Sequence, residues 1–172
     1  MSAPLVADAL LGNLVGTCVA DLPVTLQALH PLNFQQLSAF EQVMHQFGHR
    51  GVEFSGAIAL VPSNPKFIKQ SGQKVIMSES QGQRKYQMQL RLQPMVTQIC
   101  IAGRSTQPIL LEMLDAGGDI VAVQNGVMCP LPESLQHDTS RLPGQVFKLE
   151  PPHHGCLRLT AKAPFIISSI AV

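Results

Sequence analysis

From Tyr86 to Gln93 apolar and polar residues alternate: Tyr86, Met88, Leu90 and Leu92 against Gln87, Gln89, Arg91 and Gln93. A period of two is the period of a β-strand, with one face buried and the other wet. Pro94 breaks the pattern. This is the cleanest periodic signal in the chain.

A second informative stretch runs from Gly51 to Pro65. Val52 and Phe54 alternate with Glu53 and Ser55, Gly56 interrupts, and Ala57 to Val61 continues as an apolar run. It reads as one strand entered through a glycine turn and left through the proline-bounded turn at Ser63-Asn64. Further strands are expected at Val15 to Leu29, Leu32 to Phe34, Lys74 to Ser78 and Met95 to Ala102. Gln145 to Glu150, Gly155 to Ala161 and Phe165 to Val172 complete the series. Pro108 to Asp115 and Asp119 to Gln124 flank Ala116-Gly117-Gly118, which has the composition of a hairpin turn.

Leu37 to Phe47 suits either a short helix, with Phe40, Val43, Met44 and Phe47 on one stripe, or an irregular crossover. Lys66 to Gln73 and Gly126 to Gly144 read as loops, and Ser80 to Gln83 as a turn on Gly82. Eight to ten short strands with turns at regular intervals predict an all-β protein, an antiparallel β-sandwich. Residues 1–30 form an N-terminal arm or helix with a first strand, and 31–172 form the sandwich. In the arm, Leu5, Leu10, Leu11 and Leu14 share a rough helical stripe and are the expected interface residues.

At 172 residues and 45% hydrophobic, the chain is long and apolar enough for one domain with a substantial core. Only 13% of residues are charged and the net charge is +1, so electrostatics give no reason to expect a nucleic-acid partner. Arg84, Lys85 and Arg91 are the one basic cluster, and they fall on the wet side of a strand-like segment. No apolar run approaches the roughly 18 residues of a membrane span. The N-terminus lacks a basic segment and carries Asp8, which argues against an export signal and for a cytoplasmic protein or one assembled into a virion or particle. Cys18, Cys100, Cys129 and Cys156 are widely spaced, and free thiols are expected.

The candidate chemistry is thin. His45 and His49 are four apart and would share a helix face with Glu41, but no H-E-x-x-H pattern supports a metal site. His153 and His154 sit in a Pro-Pro loop. Asp115 and Asp119 flank a glycine turn, where short acidic residues ordinarily serve the turn itself. Glu112 and Glu150 have nothing linking them as an acid/base pair. Ser55 lacks the G-x-S-x-G setting of a nucleophile. No catalytic, cofactor-binding or metal residues are therefore assigned, and no cofactor is expected.

The order of segments resembles the jelly-roll, galactose-binding-like sandwiches of exported bacterial proteins of the PEP-CTERM kind. The matching pieces are Asn33-Phe34, Gln46-Phe47, Gly51-Val52-Glu53-Phe54-Ser55 and Ser71-Gly72. Leu90 to Val96, Leu111 to Gly118 and Pro164 to Ile170 follow. The resemblance covers about Leu32 to Val172 and implies a jelly-roll sandwich that binds a carbohydrate or small ligand. Two features depart from it. No export signal is expected from the N-terminal residues, and Ser168 and Ser169 stand where the family commonly carries the Asp residues that help hold a structural calcium.

Two functions follow. The first is a non-catalytic interaction or assembly subunit with protein partners, a homo-oligomer or a component of a larger particle such as a phage capsid or tail. The alternative is a glycan or small-ligand binding module. Sugar-binding sandwiches usually stack their ligand on exposed aromatic rings, whereas this chain has no Trp and its single Tyr lies in the apolar register of a strand.

Overall fold

The computed structural model describes residues 29–63, 74–129, 142, 144–151 and 155–172. Among them are eleven strands: β1 (Val52–Ser55), β2 (Ala57–Leu60), β3 (Val75–Ser80), β4 (Tyr86–Leu92), β5 (Ile99–Ser105), β6 (Leu110–Leu114), β7 (Ile120–Asn125), β8 (Val127–Cys129), β9 (Gly144–Leu149), β10 (Cys156–Ala161) and β11 (Phe165–Ala171). Every pairing is antiparallel.

The first layer runs β7-β6-β10-β4-β1 and the second β2-β3-β11-β5-β9-β8. Strand β3 joins them. Its first residues pair with β2 and β11, while Glu79 and Ser80 pair with Gln87 and Tyr86 of β4. The protein is an all-β antiparallel sandwich, as the alternation and turn spacing predict. No helix among the described residues is long and apolar enough to cross a membrane.

The expected single strand over Gly51 to Pro65 is two strands. At Gly56 the chain leaves β4 and turns to β3, with φ of +71°. A Cβ there would lie 2.9 Å from the carbonyl oxygen of Gln87, so only glycine fits the corner. The opposite margin repeats the device. Strand β7 pairs with β6 in the first layer, and after Gly126 the chain continues as β8, which pairs with β9 in the second. A Cβ on Gly126 would sit 2.9 Å from Gln145 Cβ. The loop expected from Gly126 therefore contains a three-residue strand that closes the second layer.

The core is the inner face of both layers. Met88 and Leu90 of β4, Leu157 and Leu159 of β10, Ile99 and Ile101 of β5 and Phe165 and Ile167 of β11 are fully withdrawn from water. Burying each such side chain contributes about 1.5–3 kcal/mol relative to exposure. Phe34, Phe47 and Phe54 close one region in two edge-to-face contacts, with centroids 5.8 and 5.9 Å apart.

Leu37 to Phe47 is the irregular crossover, not the helix. It runs beside β2 and β1, with Val43 N donating to Ala57 O at 2.8 Å and Phe54 N to Met44 O at 2.7 Å. A strand-like path separates the four residues of the supposed helical stripe. Val43 and Phe47 are buried, while Phe40 is 83% and Met44 44% exposed. The strand expected at Leu32 to Phe34 is instead a bridge at Pro31 followed by a 3-10 turn, Phe34–Gln36. Asn33 decides this, because its side-chain oxygen accepts the Gln35 amide at 3.1 Å and caps the turn. Strand β5 starts later than expected and runs through Gly103, where a Cβ would meet Ile166 O at 2.9 Å.

The arm with Leu5, Leu10, Leu11 and Leu14, the strand at Val15 to Leu29 apart from its last residue, the Lys66 to Gln73 loop and the His153-His154 pair lie outside the described residues.

Candidate functional site

Alternation on β1, β4, β6 and β10 aims one set of side chains at the core and the other at solvent. Strand pairing lines the outward set up in rows. In one row Ser55, Gln89, Arg158 and Glu112 stand side by side; in the next come Glu53, Arg91, Cys156 and Leu114. The β6–β7 turn, Asp115 to Gly118, borders these rows, and His45 of the crossover lies beside Glu53. Together they enclose an open cleft of about 560 Å³.

Its charges are mostly spoken for. Arg158 Nε donates to Glu112 Oε2 at 2.6 Å, a part-buried ion pair on neighbouring strands. His45 Nδ1 lies 3.4 Å from Glu53 Oε1. Asp115 Oδ1 accepts the amides of Gly117 and Asp119 at 2.9 and 3.0 Å, so this carboxylate shapes its own hairpin. Arg91 is exposed and has no hydrogen-bond or ion-pair partner among the described residues.

The floor is less polar. Leu114 belongs to the outward register yet is only 6% exposed, and Cys156 beside it is half-buried. Burial pushes the Cys156 thiol up from its ordinary value, against the opposing fields of Arg91 and Arg158. Among the described residues no Phe, Tyr or Trp ring is offered to a ligand face here, since Phe54 at the cleft is 5% exposed.

The histidine-centred arrangement does not form. His49 lies in the 3-10 turn Gly48–Arg50, and His45 turns to Glu53. Glu41 is held by the Ser38 amide at 2.6 Å and Gln46 Nε2 at 2.7 Å. Among the described residues no group of three His, Cys, Asp or Glu gathers to hold a metal ion. Glu112 lies in the first layer and Glu150 just beyond β9 of the second. Ser168, read from the sequence as a departure from a calcium-holding Asp, sits in a bulge of β11 and donates to Ala102 O at 3.2 Å. Cys100 and Cys156 are free thiols; Cys18 and the side chain of Cys129 are outside the description.

Sequence reasoning named His45, Ser55, Arg91, Asp115 and Cys156 as individual residues and missed the cleft that they line. The alternation in Tyr86 to Leu92 marks Gln89 and Arg91 as outward, but nothing in the sequence pairs them with Arg158 and Cys156.

No family model matches the chain, and no curated protein matches it. Among solved structures, it is similar to TmCBM61 in complex with beta-1,4-galactotriose, with 10% sequence identity and a TM-score of 0.32. The match covers 76% of this chain and 93% of that one. The sandwich assignment stands on the strand pairing above and not on this likeness.

Proposed function

We propose that this protein is a non-catalytic binding module that holds a polyhydroxylated ligand, a glycan or sugar-like molecule, in the cleft on the outer face of the first layer. The observation that carries the reading is the pair of outward rows. They set Ser55, Gln89 and Arg158 beside Glu53 and Arg91, around the Leu114–Cys156 floor. Such a surface offers hydrogen-bond donors and acceptors in fixed positions with a small apolar patch between them, which suits a ring bearing hydroxyls. Selectivity would come from hydrogen bonds, since among the described residues no exposed Phe, Tyr or Trp ring lines the cleft. The galactose-binding-like setting suggested by the sequence motifs belongs to this proposal.

A glycan array tests it. Wild-type protein is expected to retain a subset of oligosaccharides, and Gln89→Ala is expected to weaken that binding about tenfold by removing the side-chain amide's donor and acceptor. Binding unaffected by Gln89→Ala, with Ser55→Ala equally silent, would move the ligand elsewhere.

One observation favours the assembly reading as a second possibility. Ile120 to Met128 carries no charge; Ile120, Val121, Val123, Val127 and Met128 are half or more exposed, and the outer edge of β7 is unpaired among the described residues. An uncharged apolar edge of this kind invites strand pairing with another copy. Light scattering on wild type, Val121→Lys and a form lacking Ser2 to Leu14 separates the routes. Loss of an oligomer in the first variant points to the β7 edge, and loss in the second to the leucine arm. No described residue speaks for a capsid or tail component in particular.

A further inference from the structure

We infer that the ligand of this cleft carries a carboxylate, as a uronic-acid sugar does, and that Arg91 is the side chain that meets it. The inference rests on the cleft being the binding site and goes on to name the chemistry it selects.

Five of the six titratable side chains lining the cleft already have partners, with Cys156 Sγ donating to Leu157 O at 3.7 Å. Arg158 is paired with Glu112 at 2.6 Å, Glu53 faces His45 at 3.4 Å, and Asp115 Oδ1 is taken by two backbone amides. Arg91 alone among them makes no hydrogen bond or ion pair with any described residue. It stands directly opposite Glu53 on β1, whose carboxylate is turned to His45, and opposite Cys156 on β10. A guanidinium presents a planar fork of donors that matches the two oxygens of a carboxylate.

The rest of the row fits the remainder of such a ligand. From Arg91 the row passes to Cys156 and then Leu114, two strand spacings or about 10 Å away, with polarity falling along it. A hexuronate ring placed over Cys156 would set its CH face on the apolar floor with its carboxylate toward Arg91. Its hydroxyls would then lie toward Gln89 and Ser55 in the adjoining row. A single negative charge is favoured over a phosphate's two. Glu53 beside Arg91 and Asp115 at the rim raise the cost of any further negative charge.

The test uses full-length protein and a panel of uronate trisaccharides (galacturonate, glucuronate, mannuronate and guluronate), each with its methyl ester as a neutral counterpart. Affinities come from titration calorimetry on wild type, Arg91→Gln and Arg91→Lys. Protection of Cys156 from a thiol reagent, read by mass spectrometry, locates the ligand. Arg91 is exposed, so both variants are expected to melt with the wild type, which circular dichroism checks. At least one acid form is expected to bind about tenfold more tightly than its ester. Arg91→Gln should erase that preference, Arg91→Lys should keep part of it, and Cys156 should be protected throughout. Equal affinity for acid and ester with Cys156 protected would overturn the carboxylate inference and leave the cleft standing. Tight binding that leaves Cys156 unprotected, or no binding across the panel and its esters, would overturn it as well. In the first of those cases the cleft reading falls with it; in the second, the glycan array on Gln89→Ala decides the cleft separately.

Discussion

Glu112 and Arg158 face each other across β6 and β10, and the arginine Nε donates to the carboxylate at 2.6 Å with the side chains only 15% and 26% exposed. Withdrawal from water strengthens the attraction within such a pair but also costs desolvation, and breaking it on one side leaves the other charge poorly solvated. Glu112→Gln is expected to cost about 1–3 kcal/mol in urea unfolding. Adding Arg158→Gln should recover part of the loss. A neutral Glu112→Gln would mean that the pair is no more than a surface contact.

The corner at Gly56 combines φ of +71° with a Cβ site 2.9 Å from Gln87 O, whereas Gly82 has φ of +78° and nothing within 4 Å. Torsion alone should make Gly82→Ala cost about 1 kcal/mol. Gly56→Ala adds a backbone clash at the junction of the layers and should cost about 3 kcal/mol. Equal losses in denaturant melts would show that the layers part there without resistance.

The Ser38 amide first, and then Gln46, hold the Glu41 carboxyl below its ordinary value of 4.5, with Lys74 adding to them and burial opposing. A lowered folded-state value stabilises the native protein when the carboxyl is ionised. That stabilisation is fully present above the unfolded value and is lost as pH falls through the folded one. Glu41→Gln should therefore flatten the acid side of the stability profile as pH falls below the ordinary carboxyl value of 4.5. A profile of unchanged slope would remove Glu41 from the groups that make the crossover acid-sensitive.

Burial raises the thiols of both Cys100 and Cys156, offset at Cys100 by Lys148 and at Cys156 by Arg91 and Arg158. At about pH 8 both should react with iodoacetamide more slowly than an unstructured thiol. Removing one opposing field with Arg91→Gln should slow Cys156 further and leave Cys100 unchanged. Peptide-resolved mass spectrometry over a time course distinguishes the two, and equal slowing at both would point to a global change.

A strand with one wet face is the easiest to read in a sequence. The alternation from Tyr86 to Gln93 became β4, one residue shorter at its end, because burial on a single side writes itself as alternation. Phe40 to Phe47 carried spacing that fits a helix, yet backbone bonds to Ala57 and Ala59 hold it as a partner of β2, a contact that local periodicity does not encode. Gly126 sat in a stretch without pattern because β8 is three residues long, too short to show a period. The cleft was illegible for another reason. Arg91 and Cys156 lie 65 positions apart in the chain, and only the register of β4 against β10 makes them neighbours.

Gly56 and Gly126 mark the two lateral margins where one run of chain serves both layers among the described residues, and β3 does the same between them. Strand pairs at each lateral margin are thus covalently shared, and neither layer can come apart while the other stays whole. The slowest-exchanging amides of β4 and β5 should accordingly open together, with one free energy equal to that of global unfolding. Assembly of such a molecule must wait for contacts between distant parts of the chain, which places its folding on the slow, millisecond-to-second side of small domains.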